Sequence, residues 1–195
     1  MFKEIDKYIA QYIHLTSQQL DLFHSFLTEK EVKKKSFLLH EGDVCNFEAF
    51  IVKGCMRSYF IDENGYETIL QFATENWWVS DIASFSEQKP SFLFIEAMED
   101  CLLLTIDHVH KEELFRILPQ FERVFRIMVQ RSLVTLQQRY FASVSKPAIE
   151  RYQQFLVKYP DLSQRVPQHH IASYLGISPE FLSKIRKALF HTKGK

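Results

Sequence analysis

The stretch Gln168-His169-His170-Ile171-Ala172-Ser173-Tyr174-Leu175-Gly176-Ile177-Ser178-Pro179-Glu180-Phe181-Leu182-Ser183-Lys184-Ile185-Arg186-Lys187-Ala188-Leu189 decides how the chain is read. Ile171, Ala172 and Leu175 share one face of a short helix, and Gly176 follows them as a natural left-handed C-terminal cap. Ile177 is then an apolar plug, Ser178 offers an acceptor to the free amides of a second helix, and Pro179 fits its first position because no hydrogen bond is lost there. In that second helix Leu182, Ile185 and Leu189 face inward, which leaves Glu180, Ser183, Lys184 and Lys187 on the opposite side. The pattern is a helix-turn-helix; its bland competitor is an ordinary helical hairpin with a solvated, charged outer face.

An outer face of this composition suits the DNA major groove. A carboxylate accepts from the amine of cytosine, and lysines donate to guanine edges or pair with phosphates. Ser178, Glu180, Ser183, Lys184 and Lys187, with His169 at the start of the first helix, are the candidate DNA-contacting residues. Charge points the same way. The net charge is zero, but residues 1–145 hold 15 Lys+Arg against 21 Asp+Glu, and residues 146–195 hold 9 against 3. A basic segment that coincides with a helix-turn-helix is the electrostatic footprint of a phosphate-binding module.

The 195 residues, 46% of them hydrophobic, suffice for one domain or two small ones. Apolar runs are too short to span a membrane, and Met1-Phe2-Lys3-Glu4-Ile5-Asp6 lacks the layout of a secretory leader, so a cytoplasmic location with no membrane partner is expected. Cys45, Cys55 and Cys101 are an odd set without CxxC spacing, which suggests buried thiols and neither a disulfide framework nor a metal site.

Upstream of the helix-turn-helix the hydrophobic period changes twice. Residues 3–31 predict two short amphipathic helices, ended by the charge run Glu31-Val32-Lys33-Lys34-Lys35. From Ser36 short strands follow in series: Phe37 to Leu39, Phe47 to Val52, Cys55 to Ile61, Tyr66 to Phe72, Phe92 to Met98 and Leu102 to Ile106, with an irregular stretch from Trp77 to Pro90. Asn64-Gly65 between two alternating runs predicts a two-residue type I′ hairpin turn. An all-β roll fits this spacing better than a βαβ scheme.

Beyond Asp107 the pattern is helical to Leu118, and Pro119 opens a long helix to about Ser145. Its stripe Phe121, Phe125, Val129, Leu133, Leu136 and Tyr140 predicts a dimer seam, the alternative being packing against its own roll. Ser145-Lys146-Pro147 marks a boundary and hinge, after which Ile149, Tyr152, Phe155 and Leu156 offer an apolar face to the helix-turn-helix. The expected organisation is α+β: a roll domain with flanking helices at 1–118, a dimerisation helix at 119–145, and a DNA-binding domain at 146–195.

Taken together, this order of elements resembles the Crp/Fnr family of bacterial transcription regulators over nearly the whole chain. The most specific pieces are Ile171-Ala172 through Lys184, the turn His40-Glu41-Gly42-Asp43, and Val52-Lys53-Gly54 with Arg57. The resemblance implies a cyclic-nucleotide-binding-like antiparallel β-roll and a C-terminal winged helix, here with a reduced wing. It implies a homodimer on double-stranded DNA, with RNA polymerase as a candidate further partner and no assignable effector. In the family a glutamate and, one turn on, an arginine read bases; Glu180 matches the first and Lys184 stands at the second, which keeps the charge and loses the bidentate fork. Pro179 stands where some members carry another base-reading arginine.

Cyclic-nucleotide binders of the family carry a Gly-Glu pair and, further on, Arg followed by Ser or Thr. The matching positions here are Ser80-Asp81 and Ser91-Phe92, so Ser80, Asp81, Lys89 and Ser91 are the ligand-pocket candidates. No Arg or Lys lies from Pro90 to Ile95, and a buried phosphodiester without a cation loses several kcal/mol, so the roll is expected not to bind cyclic AMP. The N-terminal cysteine cluster of the iron–sulfur branch is missing, and no cofactor is expected.

Two other classes compete. A cupin-type metal enzyme would need His-x-His on a strand, and His108-Val109-His110 falls where a helix begins, so neither metal nor catalysis is expected. A protein-interaction or scaffold module would use Trp77, Trp78, Phe85, Phe92 and Phe94 as an exposed surface, and exposure of the tryptophans separates it from core packing.

Overall fold

A computed structural model describes residues 2–192, with side chains as far as Leu189. The residues form two compact units, one of 1–60 with 71–131 and one of 61–70 with 132–195. The division falls inside the long helix, and it gives the tip of one hairpin to the second unit.

The first unit opens with helices α1 (Lys3–Ile9) and α2 (Ser17–Ser25). A capping box starts α2: the Thr16 hydroxyl accepts from the Gln19 amide, and the Gln19 side chain accepts from the Thr16 amide. Eight strands follow: β1 (Thr28–Val32), β2 (Phe37–Leu39), β3 (Glu48–Lys53), β4 (Met56–Ile61), β5 (Glu67–Ala73), β6 (Trp78–Val79), β7 (Phe94–Ala97) and β8 (Cys101–Ile106). Helix α3 (Ile82–Glu87) lies between β6 and β7, and α4 (His108–Ile117) and α5 (Gln120–Ser145) follow β8. The strands make two four-stranded sheets, in the orders β1-β8-β3-β6 and β2-β7-β4-β5, with antiparallel pairing in every recorded register.

Within the first sheet β3 is buried on both faces, which is why Ala49-Phe50-Ile51 reads as a continuous apolar run. Ala49, Ile51 and Leu103 join Met56, Ile95 and Ala97 of the second sheet in one core. Phe50, Leu104 and Ile106 point the other way, into a core shared with Ile5 and Ile9 of α1, Phe23 of α2, Leu114 of α4, and Phe121, Val124 and Phe125 of α5. Trp77 packs against the first core and Trp78 against the second, Phe85 is buried, and Phe94 stacks on Tyr59 at 5.2 Å. An aromatic docking surface is therefore not what these residues form; of the five only Phe92 is exposed.

Three local readings differ from the sequence expectation. The end of the stretch expected to be helical and the first two residues of the charge run form an edge strand, β1, exposed at every residue but Val32, so it carries no apolar alternation. The stretch from Trp77 to Pro90 is not irregular but holds β6 and α3. The hairpin at Asn64-Gly65 is not type I′. Only Gly65 of the pair has positive φ (82°), and the Asp62 carboxylate accepts from the amides of Asn64 and Tyr66, which makes a longer loop held by an aspartate.

One charged group is built into the second core. The Lys111 ammonium on α4 lies 2.7 Å from the buried Glu48 carboxylate of β3 and faces the rings of Phe85, Phe115 and Phe125 at 4.9, 5.6 and 4.5 Å. Burial pushes the Glu48 carboxyl above its ordinary pKa and the ammonium opposes that shift.

The second unit contains α6 (Ala148–Lys158), α7 (Leu162–Arg165), α8 (Gln168–Leu175) and α9 (Pro179–Thr192). Its core joins Tyr152 and Phe155 of α6 to Tyr159 and to Tyr174 of α8, with Phe155 5.6 Å from the Tyr174 ring and 5.2 Å from that of Tyr159. Among the described residues no strand follows β8, so none forms a wing, and no helix is long and apolar enough to cross a membrane.

Lys111→Met should destabilise the protein by about 3–5 kcal/mol, because it strands a buried carboxylate. Chemical denaturation checks this, and adding Glu48→Gln should recover part of the loss.

Candidate nucleic-acid interface

The turn between α8 and α9 is fixed by backbone geometry and one serine. Gly176 has φ 64° and ψ 43°, so the Gly176 amide reaches the Ser173 carbonyl and the Ile177 amide the Ala172 carbonyl. The chain then re-enters a helix at Pro179. The Ser178 hydroxyl oxygen accepts from the Phe181 amide at 3.2 Å, and the Ser178 carbonyl accepts from the Leu182 amide at 3.0 Å. Glu180's own amide and, after it, the same hydroxyl hold the Glu180 carboxyl below the usual carboxylate range, so it remains an ionised acceptor near neutral pH.

Leu182 and Ile185 are 1% and 6% exposed and anchor α9, with Leu189 half-buried in line with them. Glu180, Ser183, Lys184 and Lys187 are all exposed, and at 100° per residue they occupy an arc of roughly 100° opposite those anchors. His169 is exposed at the start of α8, its ring 4.0 Å from that of His170. Ser178 is exposed but its side chain is committed to starting α9. The structure thus brings Glu180, Ser183, Lys184 and Lys187 onto one surface and leaves His169 on the other helix. Phe181, which the reading of the polar face passed over, is 49% exposed on α9 beside Glu180.

Sequence reasoning also missed what holds α8. The hairpin tip belongs to this unit: the Ser173 hydroxyl donates to the Glu67 carbonyl at 2.7 Å and accepts from the Ile69 amide at 3.0 Å. Arg139 of α5 donates to the carbonyls of Ile69 (2.8 Å) and Leu70, and its guanidinium lies 4.3 Å over the Tyr174 ring. Serine 106 residues from its partner leaves no local signal in the sequence.

The stripe along α5 divides in two. Phe121 and Phe125 are 0% and 4% exposed and lie in the core of the first unit, so they are not part of an open seam. Val129, Leu133, Leu136 and Tyr140 are 40%, 53%, 49% and 70% exposed, and Val144 continues their spacing.

In the roll, the four ligand-pocket candidates are tied to their own chain. Asp81 caps α3 by accepting from the amides of Ala83 and Ser84, and its other oxygen accepts from the Ser91 hydroxyl at 2.6 Å. Ser91 also accepts from the Leu93 amide, and its backbone is bonded to Gly42 and Asp43 of the His40-Glu41-Gly42-Asp43 turn. Ser80 donates to the Phe47 carbonyl, and the exposed Lys89 pairs with Glu87 at 2.8 Å. Arg57, the buried cation of β4, is 2.6 Å from Glu96. The three cysteines are buried thiols, and burial raises the Cys101 thiol to about 11, which keeps it protonated. His110, at the head of α4, pairs with its cap Asp107 at 2.7 Å.

Comparison with known proteins gives the class first. Residues 29–117 match the cyclic nucleotide-binding domain family. The chain is 22% identical to the cAMP-activated global transcriptional regulator CRP of Escherichia coli O6:H1, over 89% of this chain and 88% of that protein. It is 23% identical to the transcriptional activator protein FnrA of Stutzerimonas stutzeri, over 94% and 81%. Among solved structures FixK2 from Bradyrhizobium japonicum superposes with a TM-score of 0.75 at 22% identity, covering 86% of each chain. Residues 29–117 thus carry the cyclic nucleotide-binding domain, and over most of its length the chain is similar to transcription regulators of the Crp/Fnr kind.

Asp81→Ala removes a helix cap and the partner of Ser91 together. It should lower stability by about 1–2 kcal/mol, read from the denaturation midpoint.

Proposed function

We propose that the chain acts as a homodimer on double-stranded DNA, with α9 in the major groove and without cyclic AMP as its effector. The observation that carries the reading is the exposed arc of Glu180, Ser183, Lys184 and Lys187 on a helix anchored from behind by Leu182 and Ile185. Glu180 accepts from a cytosine amine, Lys184 donates to a guanine edge, and Lys187 pairs with phosphate. His169 and Ser178 serve the edges of this surface, the first as a phosphate contact and the second by setting the entry of α9.

The second copy is required by α5, whose stripe from Val129 to Tyr140 stands exposed. A two-fold pair of such helices covers it and sets the separation of two α9 helices. RNA polymerase is the further partner a transcription regulator would meet, the role is regulatory and not catalytic, and the cytoplasm is where the DNA is.

A cyclic nucleotide would need Asp81 and Ser91 released from each other and a cation brought to its phosphate. Both residues are buried and mutually bonded, and Ser91 carries no charge. A molecule of other chemistry, or none, sets the activity of the roll.

Selection of duplexes from a random library by the ligand-free protein should recover two inverted half-sites about 10–10.5 base pairs apart. Added cyclic AMP should change neither the site nor the affinity; a requirement for it would overturn the reading of the cassette. Lys184→Glu should weaken binding to the selected duplex about tenfold or more with an unchanged unfolding midpoint. Leu133→Asp should sediment as a monomer, and a dimer of this variant would place the seam elsewhere.

A further inference from the structure

Of the features the proposed function leaves unused, Phe181 has the clearest chemistry. It lies in the first turn of α9, and its amide is bonded to the Ser178 hydroxyl, so its backbone is fixed with the cap. Its two apolar neighbours toward the core, Leu182 and Ile185, are nearly sealed, whereas Phe181 is 49% exposed. It is adjacent in sequence to Glu180 and one turn before Lys184, and residues three apart on a helix are surface neighbours. A half-exposed phenyl ring thus borders the polar arc.

We propose that Phe181 is a specificity-determining residue that reads the 5-methyl group of a thymine next to the base pairs met by Glu180 and Lys184. The inference rests on α9 entering the major groove. A phenyl ring neither donates nor accepts a conventional hydrogen bond and gains nothing from a phosphate. The thymine methyl is the apolar group on the major-groove edges, and apolar side chains, phenylalanine included, are its partners. The surroundings commit the occupant to DNA: residues 146–195 hold 9 Lys+Arg against 3 Asp+Glu, and the exposed ring stands one turn before the exposed Lys184. Where Pro179 and Lys184 supply less base-specific hydrogen bonding than arginines would, a methyl contact adds discrimination of a different kind.

The test uses the full chain and the duplex recovered by selection. Each thymine of a half-site is replaced in turn by deoxyuridine, which deletes the methyl and keeps the base pair. At one thymine per half-site the substitution should weaken binding of the unaltered protein by about fourfold, the scale of one buried carbon. Phe181→Ala should bind the thymine and deoxyuridine duplexes equally, with an unchanged unfolding midpoint, and Phe181→Leu should keep the preference for thymine. Equal binding of all duplexes by the unaltered protein overturns the proposal, while the retained binding leaves the major-groove reading of α9 in place. A Phe181→Ala loss that is the same for both duplexes also overturns it and assigns the ring to the sugar backbone. Failure to bind any duplex removes the major-groove reading and this one together.

Discussion

Helix α5 is 26 residues long, about 39 Å end to end; its first turns are anchored in the roll, and Arg139 ties its later part to the carbonyls of Ile69 and Leu70. Phe121, Val124 and Phe125 are sealed in the core of the roll. From Val129 onward the same face carries Leu133, Leu136, Tyr140 and Val144 into solvent. A single exposed leucine is ordinary, but five large apolar side chains at this spacing make a stripe that the proposed second copy would cover, each valine or leucine being worth about 1.5–3 kcal/mol if fully buried. On the proposed reading, dimerisation and the placing of two DNA-reading helices both depend on that stripe.

The roll has kept the architecture of a cyclic nucleotide-binding domain while its polar groups have found partners in their own chain. Asp81 starts α3, Ser91 is bonded to Asp81, and Arg57 is neutralised by Glu96. Each of these bonds would have to break before a charged ligand could use the same atoms, and a buried group left unpaired costs about 1–3 kcal/mol. Lys111 plays a comparable part deeper in, where one ammonium among three phenyl rings meets a buried carboxylate and joins α4, β3, α3 and α5.

The helix-turn-helix was legible because every signal that makes it is local. Gly176, Ser178, Pro179 and the spacing of Leu182 and Ile185 act within one or two turns, and they are where the sequence places them. The strands of the double-sided sheet were legible as apolar runs, whereas β1 was not, because an edge strand with Glu29, Lys30 and Glu31 exposed shows no alternation. At the hairpin the dipeptide Asn64-Gly65 pointed to a tight turn, but Asp62 competes for the same amides and draws a longer loop. The stripe on α5 was visible as one pattern of three- and four-residue steps and is in fact two surfaces, since periodicity gives a buried face without saying what buries it. Ser173 and Arg139, which bind α8 to a hairpin about seventy and more residues away, had no signal a single sequence could carry.

The most direct test is hydroxyl-radical footprinting of the protein on its selected duplex. The account predicts two protected windows, related by a two-fold axis and centred about one helical turn apart, with two chains bound per duplex. A single window, or protection by one chain alone, would contradict it.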